Sequence, residues 1–571
     1  MNQQTRLFLL FAWLMVAVLL WMEWGKEQAA KLAPPPVTPA AQVVPQVVPG
    51  ALPAAAPANA ATTAAPTAAN AATPANAQAS AAPASVQVET DVLRVQLDGG
   101  SFRQVDLLQY PKTLGGNDPV RLFSADNADY YMAQSGWNGQ GGSQAPNHTG
   151  FVVDGGATQF KLAAGAKTLD VPFTWTGANG VAIHRNVRFT RGSYAVDVRD
   201  SVTNGGGTPW QGYIYRQLVR VPPTLQTGMM HPESYSFVGA TWSDGKHYER
   251  RPFKDYMDGG SVDQTIQGGW LAMPQHHFLS VWIPEADQQA KFSLSQNGPA
   301  DSIAAMGPGF TVQAGQTVTT NARLWVGPKD VKALEALGVP GLDRVIDYSR
   351  WDWLAYLGTG LFWLLSKIHA LFGNWGWSII GLVFLLKLAL FPLSNAQYKS
   401  TAQMRRVQPR MKALQERYGD DKQKLQMAMM ELYKTEKINP IGGCLPIIPQ
   451  TIIFMTLYWV LSESVELRHA PWMGWIHDLT ARDPYFVLPI LNAAIMFFTQ
   501  HLTPPAPGMD PTQQKMMKAM PVIFGVILAF LPAGLVLYQV ANGALGLIQQ
   551  TYMLRKYADK PSPGTHEAKK K

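Results

Sequence analysis

The chain is 571 residues long, 47% hydrophobic and only 15% charged, with a formal net charge of +8. That length allows several domains, and so mixed a composition averages apolar, soluble and low-complexity parts instead of describing one uniform globule. Its single cysteine, Cys444, excludes an intrachain disulfide and any cysteine-based zinc or iron–sulfur site.

Residues 1–26 hold Arg6, an apolar run over 7–22, then Glu23, Trp24 and Lys26. No small-x-small cleavage site follows, and Trp21 and Trp24 suit interfacial anchoring, so this segment reads as an uncleaved first transmembrane anchor. Residues 27–85 are Ala/Pro-rich and almost uncharged. Such a stretch has nothing with which to build a core and is expected to be a disordered, extended linker.

Residues 86–340 read as an all-β domain. Short alternating runs recur between Gly, Pro, Asn and Asp clusters: 92–97, 186–190, Tyr194, Val196 and Val198 against their polar neighbours, 279–283 and 320–326. Strands at this spacing predict a sandwich or barrel. His276 and His277 fall in a predicted strand, where neighbours face opposite ways and make poor joint metal ligands.

From 349 to 373 the period lengthens to that of a helix. Leu354, Leu357, Leu361, Leu364 or Leu365, Ile368 and Leu371 form a stripe, which predicts an amphipathic helix lying in the membrane interface. Residues 374–396 contain the second predicted span, with Lys387 inside it. A lysine near the centre of a span costs about 2.5–3.5 kcal/mol on insertion scales. Two readings account for it: a hydrated cavity in which the ammonium attracts acidic groups, or snorkelling to headgroups about 7–9 Å away.

Residues 397–439 are strongly charged, yet Met404, Val407, Met411 and Leu414 repeat at a/d spacing, as do Leu425, Ala428 or Met429, and Leu432. Gly419, with Asp420 or Asp421 as a cap, divides the two arms of a helical hairpin, and Pro409 predicts a kink. Residues 440–553 supply four further spans, at 441–461, 485–500, 520–531 and 533–552. Residues 554–571 form a basic tail ending in Lys569, Lys570 and Lys571. Basic residues crowd the hairpin, the loop before the fifth span and the tail. With six spans these all fall on one side, so the hairpin and both termini are expected in the cytoplasm and the β domain opposite.

No phosphate loop, nucleotide fingerprint or metal-ligand spacing is present, so no cofactor is expected and nucleotide-driven pumping is disfavoured. On the sixth span Gln539, Asn542, Gly546 and Gln549 share one helical face. On the third, Gln450 and Thr451 come early, and on the fourth Asn492, Met496 and Thr499 align. Each is explained singly by interhelical hydrogen bonding, worth about 0.6–2 kcal/mol; together with a lysine they favour a polar recess between helices. The hairpin's charge fits a solvated face, or equally ribosomal RNA or anionic headgroups. Its methionines suit varied apolar contacts or simply hold the arms together.

Several stretches carry a resemblance: GNWGWSII at 373–380, Phe391-Pro392-Leu393 before Gln397-Tyr398, Gln408-Pro409, YGDDKQK at 418–424 and NPIGGC at 439–444. Val465-Glu466-Leu467-Arg468, WIHDL at 475–479, MPVIF at 520–524, GLVLY at 534–538 and Gln549-Gln550 follow in order, with looser matches at Tyr110-Pro111-Lys112 and Gln134-Ser135-Gly136. The chain resembles the YidC membrane-protein insertases of Gram-negative bacteria over nearly its full length. That resemblance implies a polytopic α-helical inner-membrane protein with six spans, a five-helix insertase core with a cytoplasmic hairpin, and a periplasmic β-supersandwich akin to sugar mutarotases.

It further implies a hydrophilic groove open to cytoplasm and lipid, with Lys387 at the position of the family's positive residue and Gln450, Thr451, Tyr538, Gln539, Asn542 and Gln549 around it. Many relatives carry arginine at that position; lysine keeps the charge but loses bidentate pairing. Gln539 likewise stands where an aromatic residue is common. The implied partners are nascent membrane proteins, ribosomes, the Sec translocon and membrane lipids, but not DNA. Arg405, Arg406, Arg410, Lys412, Met427, Met430, Lys569 and Lys570 are the candidate partner contacts. Insertion of this kind needs no covalent chemistry, so the protein is not expected to be a conventional enzyme. The rival reading is a membrane-anchored periplasmic sugar-binding or mutarotase-like enzyme.

Overall fold

The computed structural model describes residues 85–224, 236–258, 260–346, 348–349, 351–419, 421–436, 447–502 and 511–558. The expected first anchor, the linker up to 84, Cys444, Lys569 and Lys570 lie outside the described residues.

The two-residue period of the sequence builds the β domain. In Leu93–Asp98 every second residue is buried, and in Ala195–Asn204 the buried residues again alternate. One face of each strand is thereby committed to a core, which also fixes its register. Two sheets result, of ten and nine strands. In the first, Trp210–Arg220 lies between Tyr131–Gly139 and Ala300–Val312. In the second, Ala195–Asn204 lies between Val181–Thr190 and Thr317–Pro328. Trp137, Trp210, Trp270 and Trp282 are fully buried within the domain. A polar pin crosses this core: Arg185 pairs with Asp200 at 2.7 Å, donates to the Ser135 carbonyl, and Trp137 Nε1 donates to Asp200.

One sequence expectation needs correction. His276 and His277 occupy the connection between strands Trp270–Pro274 and Phe278–Pro284, not a strand, and their rings stack at 3.8 Å. The turn removes the alternation that would have separated them. Among the described residues no group of three or more His, Cys, Asp or Glu side chains is placed to hold a metal ion.

Helix α1 (Val331–Ala336) closes the β domain, its N-terminus capped by Asp330, which accepts from the Ala333 amide at 2.7 Å. Helix α2 (Asp352–Phe372) follows; Leu354, Leu361, Leu365 and Ile368 of the expected stripe are buried, whereas Leu371 is exposed. The segment Trp353–Phe372, expected at the interface, is long and apolar enough to cross a membrane by length and composition. Gly373, at φ 66°, ends α2, a left-handed conformation that glycine adopts without penalty.

Asn374 then caps α3 (Trp375–Ala389), accepting from the Trp377 amide while donating to the carbonyls of Pro471 and Trp472. Helix α4 (Phe391–Tyr418) follows after a bend of 67° between the two axes. It runs on as helix through Pro409. Helix α5 (Lys422–Thr435) completes the hairpin, capped by Asp421. Met404, Val407 and Met411 of α4 meet Met429, Leu432 and Tyr433 of α5, close to the a/d pattern.

The remaining described helices are α6 (Ile447–Glu463), α7 (Val487–Leu502), α8 (Pro511–Leu528) and α9 (Ala533–Ala558). Helix α9 is the central post, packed on α3, α4, α6 and α7. The loop between α6 and α7 folds over one end of the bundle. Leu467, Ile476 and Leu479 are buried there, and the Leu479 and Ala481 carbonyls accept from the Gly534 and Ala533 amides at the start of α9.

Candidate functional site

Lys387 lies in the last turn of α3, three residues before Leu390, where the chain turns into α4. The side chain is half-buried. It makes no hydrogen bond or ion pair to any described residue. A desolvated charge without a counter-ion is costly, so the ammonium must find solvent or an incoming anion. Its Nζ lies 3.5 Å from the point a Cβ on Gly546 would occupy. Gly546 thus gives the lysine room against the α9 backbone, where Tyr398 of α4 also donates to the Gly546 carbonyl at 3.3 Å.

Because Gln539, Asn542, Gly546 and Gln549 share one face of α9 at a 3.6-residue period, that face is turned towards Lys387. Asn542 is nearly buried and Gln539 half-buried. The Gln549 amide nitrogen is buried with no hydrogen-bond partner. Buried amide donors are normally satisfied by protein or water, which fits a hydrated recess. On α7, Asn492 is buried and directs its amide to the Met496 sulfur at 3.5 Å.

One expected groove residue, Tyr538, faces another side of α9. Tyr538 is only 3% exposed and packs in the helical core, its ring 6.2 Å from that of Phe454. It therefore faces dry side chains, one position away from Gln539 on the recess side. Gln450 and Thr451 are exposed in the first described turn of α6. The face of α9 opposite Gly546 borders an apolar furrow of about 480 Å³ shared with α3, lined by Ile380, Gly381, Phe384, Ala541 and Ala544 among others. Helix α9 therefore separates a polar side from an apolar one.

In the hairpin, Arg406, Arg410 and Lys412 are exposed, and Arg410 pairs with Glu436 of the opposite arm. Met427 and Met430 are 61% and 54% exposed, so they lie outside the hairpin's own apolar seam. Arg405 falls on α4, its side chain outside the described residues. Sequence reasoning missed the contribution of Tyr398 and Gly546 as packing partners. Tyr398 was visible only as part of a motif, and a glycine in a polar stripe carries no sign of what approaches it.

Two family models match the chain: "YidC periplasmic domain" over residues 85–364 and "60Kd inner membrane protein" over 367–560. The chain is 57% identical over 567 residues to the membrane protein insertase YidC of Stenotrophomonas maltophilia strain K279a, covering 98% of each. The chain belongs to the YidC membrane protein insertase family. A YidC relative from Xanthomonas campestris pv. campestris is 54% identical over 567 residues, again covering 98% of each chain. Among solved structures, an active YidC insertase with its first transmembrane domain resolved aligns over 82% of this chain and 92% of its own, at 18% identity and a TM-score of 0.36. A galactose mutarotase-like protein from Lactobacillus casei aligns over 42% of this chain and 99% of its own, at 11% identity and a TM-score of 0.26. YidC membership makes this an inner-membrane protein whose β domain is periplasmic.

Proposed function

We propose that this protein inserts nascent membrane proteins into the inner membrane and assists their folding, alone or with the Sec translocon, through a hydrated groove beside Lys387. The observation that carries the reading is the half-buried ammonium, without a protein counter-ion among the described residues, laid against the polar face of α9. In this reading six spans place both termini in the cytoplasm, and the recess opens to that side and to lipid.

A hydrophilic substrate tail must cross a hydrocarbon core in which every unsatisfied polar group costs several kcal/mol. A wet recess shortens the dry path, and Lys387 attracts Asp and Glu on the tail. The substrate's apolar segment passes into lipid along the flanks of α6 and α8, where Ile448, Met455, Val522 and Val526 are exposed. Its own burial, worth about 25 cal/mol per Å², completes the transfer. Ribosomes carrying the nascent chain dock through the basic tail, with Lys569 and Lys570, and through Arg405, Arg406, Arg410 and Lys412 of the hairpin. The exposed Met427 and Met430 offer soft apolar contacts to the emerging segment.

The test is reconstitution with two substrates that differ only in tail charge. Lys387→Glu is expected to slow insertion of an Asp/Glu-rich tail about tenfold or more while affecting a neutral tail far less. Equal losses on both tails would remove electrostatic capture from the mechanism.

A further inference from the structure

The apolar furrow on the far side of α9 from Lys387 has a definite length and a definite end. On α3, Trp377, Gly381 and Phe384 fall at i, i+4 and i+7 and so share one face; on α9, Leu537, Ala541, Ala544 and Leu545 do the same. In each helix small residues stand between large ones, and the depression lies where the small ones come together. Trp377 and Phe384 remain 46% and 52% exposed at its rim. No charged side chain lines the furrow, and the indole nitrogens of Trp377 and Trp472 are the only polar side-chain atoms among its lining residues.

One end of the furrow is fixed relative to the membrane. The first turn of α3 adjoins the seam between the helices and the β domain. There Trp375 packs against the core of that domain, and Arg468 in the α6–α7 loop donates to the carbonyls of Pro111 and Lys112 at 2.8 and 3.1 Å. The β domain is periplasmic, so the furrow begins at the periplasmic end of the bundle. Trp377 and Trp472 meet edge to face there, 5.7 Å apart, and tryptophans collect at the membrane interface. Trp472 Nε1 is buried with no partner among the described residues, a donor that an acceptor from outside the chain would satisfy. From Leu537 to Leu545 the furrow follows α9 for about 12 Å.

We infer that the furrow is the seat of one phospholipid of the periplasmic leaflet, with an acyl chain laid along Gly381, Ala541 and Ala544 and an ester or phosphate oxygen accepting from the Trp472 indole. The length decides the occupant. The hydrocarbon of one leaflet is about 15 Å deep, half of a core about 30 Å thick, so a single chain entering at the tryptophans fills the furrow. A transmembrane helix needs about 20 apolar residues and is about 10–12 Å wide; more than half of its length would find no groove. Helices in lipid associate through close packing, and a hollow with nothing in it forfeits the dispersion contacts of its walls. The acyl chain restores them, on the flank of the α3–α9 contact away from Lys387. The inference rests on the membrane placing of α3 and α9 proposed above, and not on substrate capture in the groove.

The test counts phospholipid on the full chain, extracted from membranes in a mild detergent, by native mass spectrometry. The parent is expected to keep one phospholipid. Ala544→Trp and Ala541→Phe each fill the floor of the furrow and are expected to lower occupancy several-fold. Ile490→Trp, at an exposed position on α7, is expected to leave it unchanged. Returning dioleoylphosphatidylethanolamine to the stripped parent is expected to raise its melting temperature by several degrees, and to do so far less in folded Ala541→Phe. Lys387→Glu is expected to keep the lipid while losing insertion of acidic tails, so the groove reading stands or fails separately. A parent that comes away bare, or gains no stability from added lipid, overturns the inference. Equal occupancy in the parent and both filled variants overturns it as well. So does an equal loss in Ile490→Trp, because the lipid would then be general coating.

Discussion

Glycine 546 and lysine 387 act as one unit: the missing side chain on α9 is the space that the ammonium uses. A Cβ there stands at ordinary contact distance from a flexible side-chain end, so Gly546→Ala is expected to insert substrates at close to the parent rate. Gly546→Leu displaces the amine and is expected to reduce insertion of acidic tails about tenfold, read in the same reconstituted assay.

A second residue-scale prediction concerns Glu466, in the loop beyond α6. Burial, with Asp330 close by, pushes its carboxyl up to about 7, against donation from the Val331 amide and attraction from Lys332. Its Oε2 is buried without a partner, as is the Tyr348 hydroxyl in the same seam. The folded state thus holds this proton more tightly than the unfolded chain. Stability is fully present below the unfolded pKa of about 4.3 and falls as pH rises through 7. Glu466→Gln is expected to flatten that decline, adding about 1–3 kcal/mol above pH 7. Thermal melts of the purified protein between pH 5 and 8 check this, and an unchanged slope would place the proton elsewhere.

Among the elements, the junction of α2, α3 and the α6–α7 loop depends most on single residues. A Cβ on Gly376 would lie 2.2 Å from Trp472 Cδ1. Gly376→Ala is therefore expected to cost about 1–3 kcal/mol, seen as a lowered melting temperature and partly relieved by Trp472→Ala. How far such elements were legible depends on whether their cause is local. The hairpin's apolar period, the Asp421 cap and the strand alternation of Ala195–Asn204 are written in neighbouring residues. The 67° turn after Leu390 is not, because Phe391-Pro392-Leu393 continues the apolar run and Pro is tolerated at the first turn of a helix. Nor was the place of Tyr538, since a helix carries polar and dry faces only about 100° apart per residue and the sequence does not say which neighbour, Phe454 or solvent, meets it.

For the whole molecule, charge distribution along the chain carried the reading of sidedness, whereas the seam between domains left no trace in it. Residues 111 and 468 are 357 positions apart, and nothing local marks a carbonyl that a distant arginine will use. The polar face of α9 was legible as a stripe, though its apposition to Lys387 required the packing of α3 on that helix. The basic tail yields a prediction at this scale. Lys569→Ala with Lys570→Ala is expected to weaken ribosome binding several-fold at physiological salt and to reduce the dependence of log affinity on log salt by about 1–2. Co-sedimentation over a salt series measures both, and an unaltered slope would exclude phosphate contacts by these lysines.

Helix α3 has 15 residues, only about 22 Å of rise, before the chain swings aside into α4. A typical hydrocarbon layer is about 30 Å thick. On the reading proposed above, in which α3 spans the membrane, the deficit falls on the lipid: acyl chains beside this helix would compress or splay to avoid exposing its ends, a mismatch costing fractions of a kcal/mol per ångström. A bilayer pinched at that place presents a lower barrier to any passing polypeptide, before a single charge on it has been recognised.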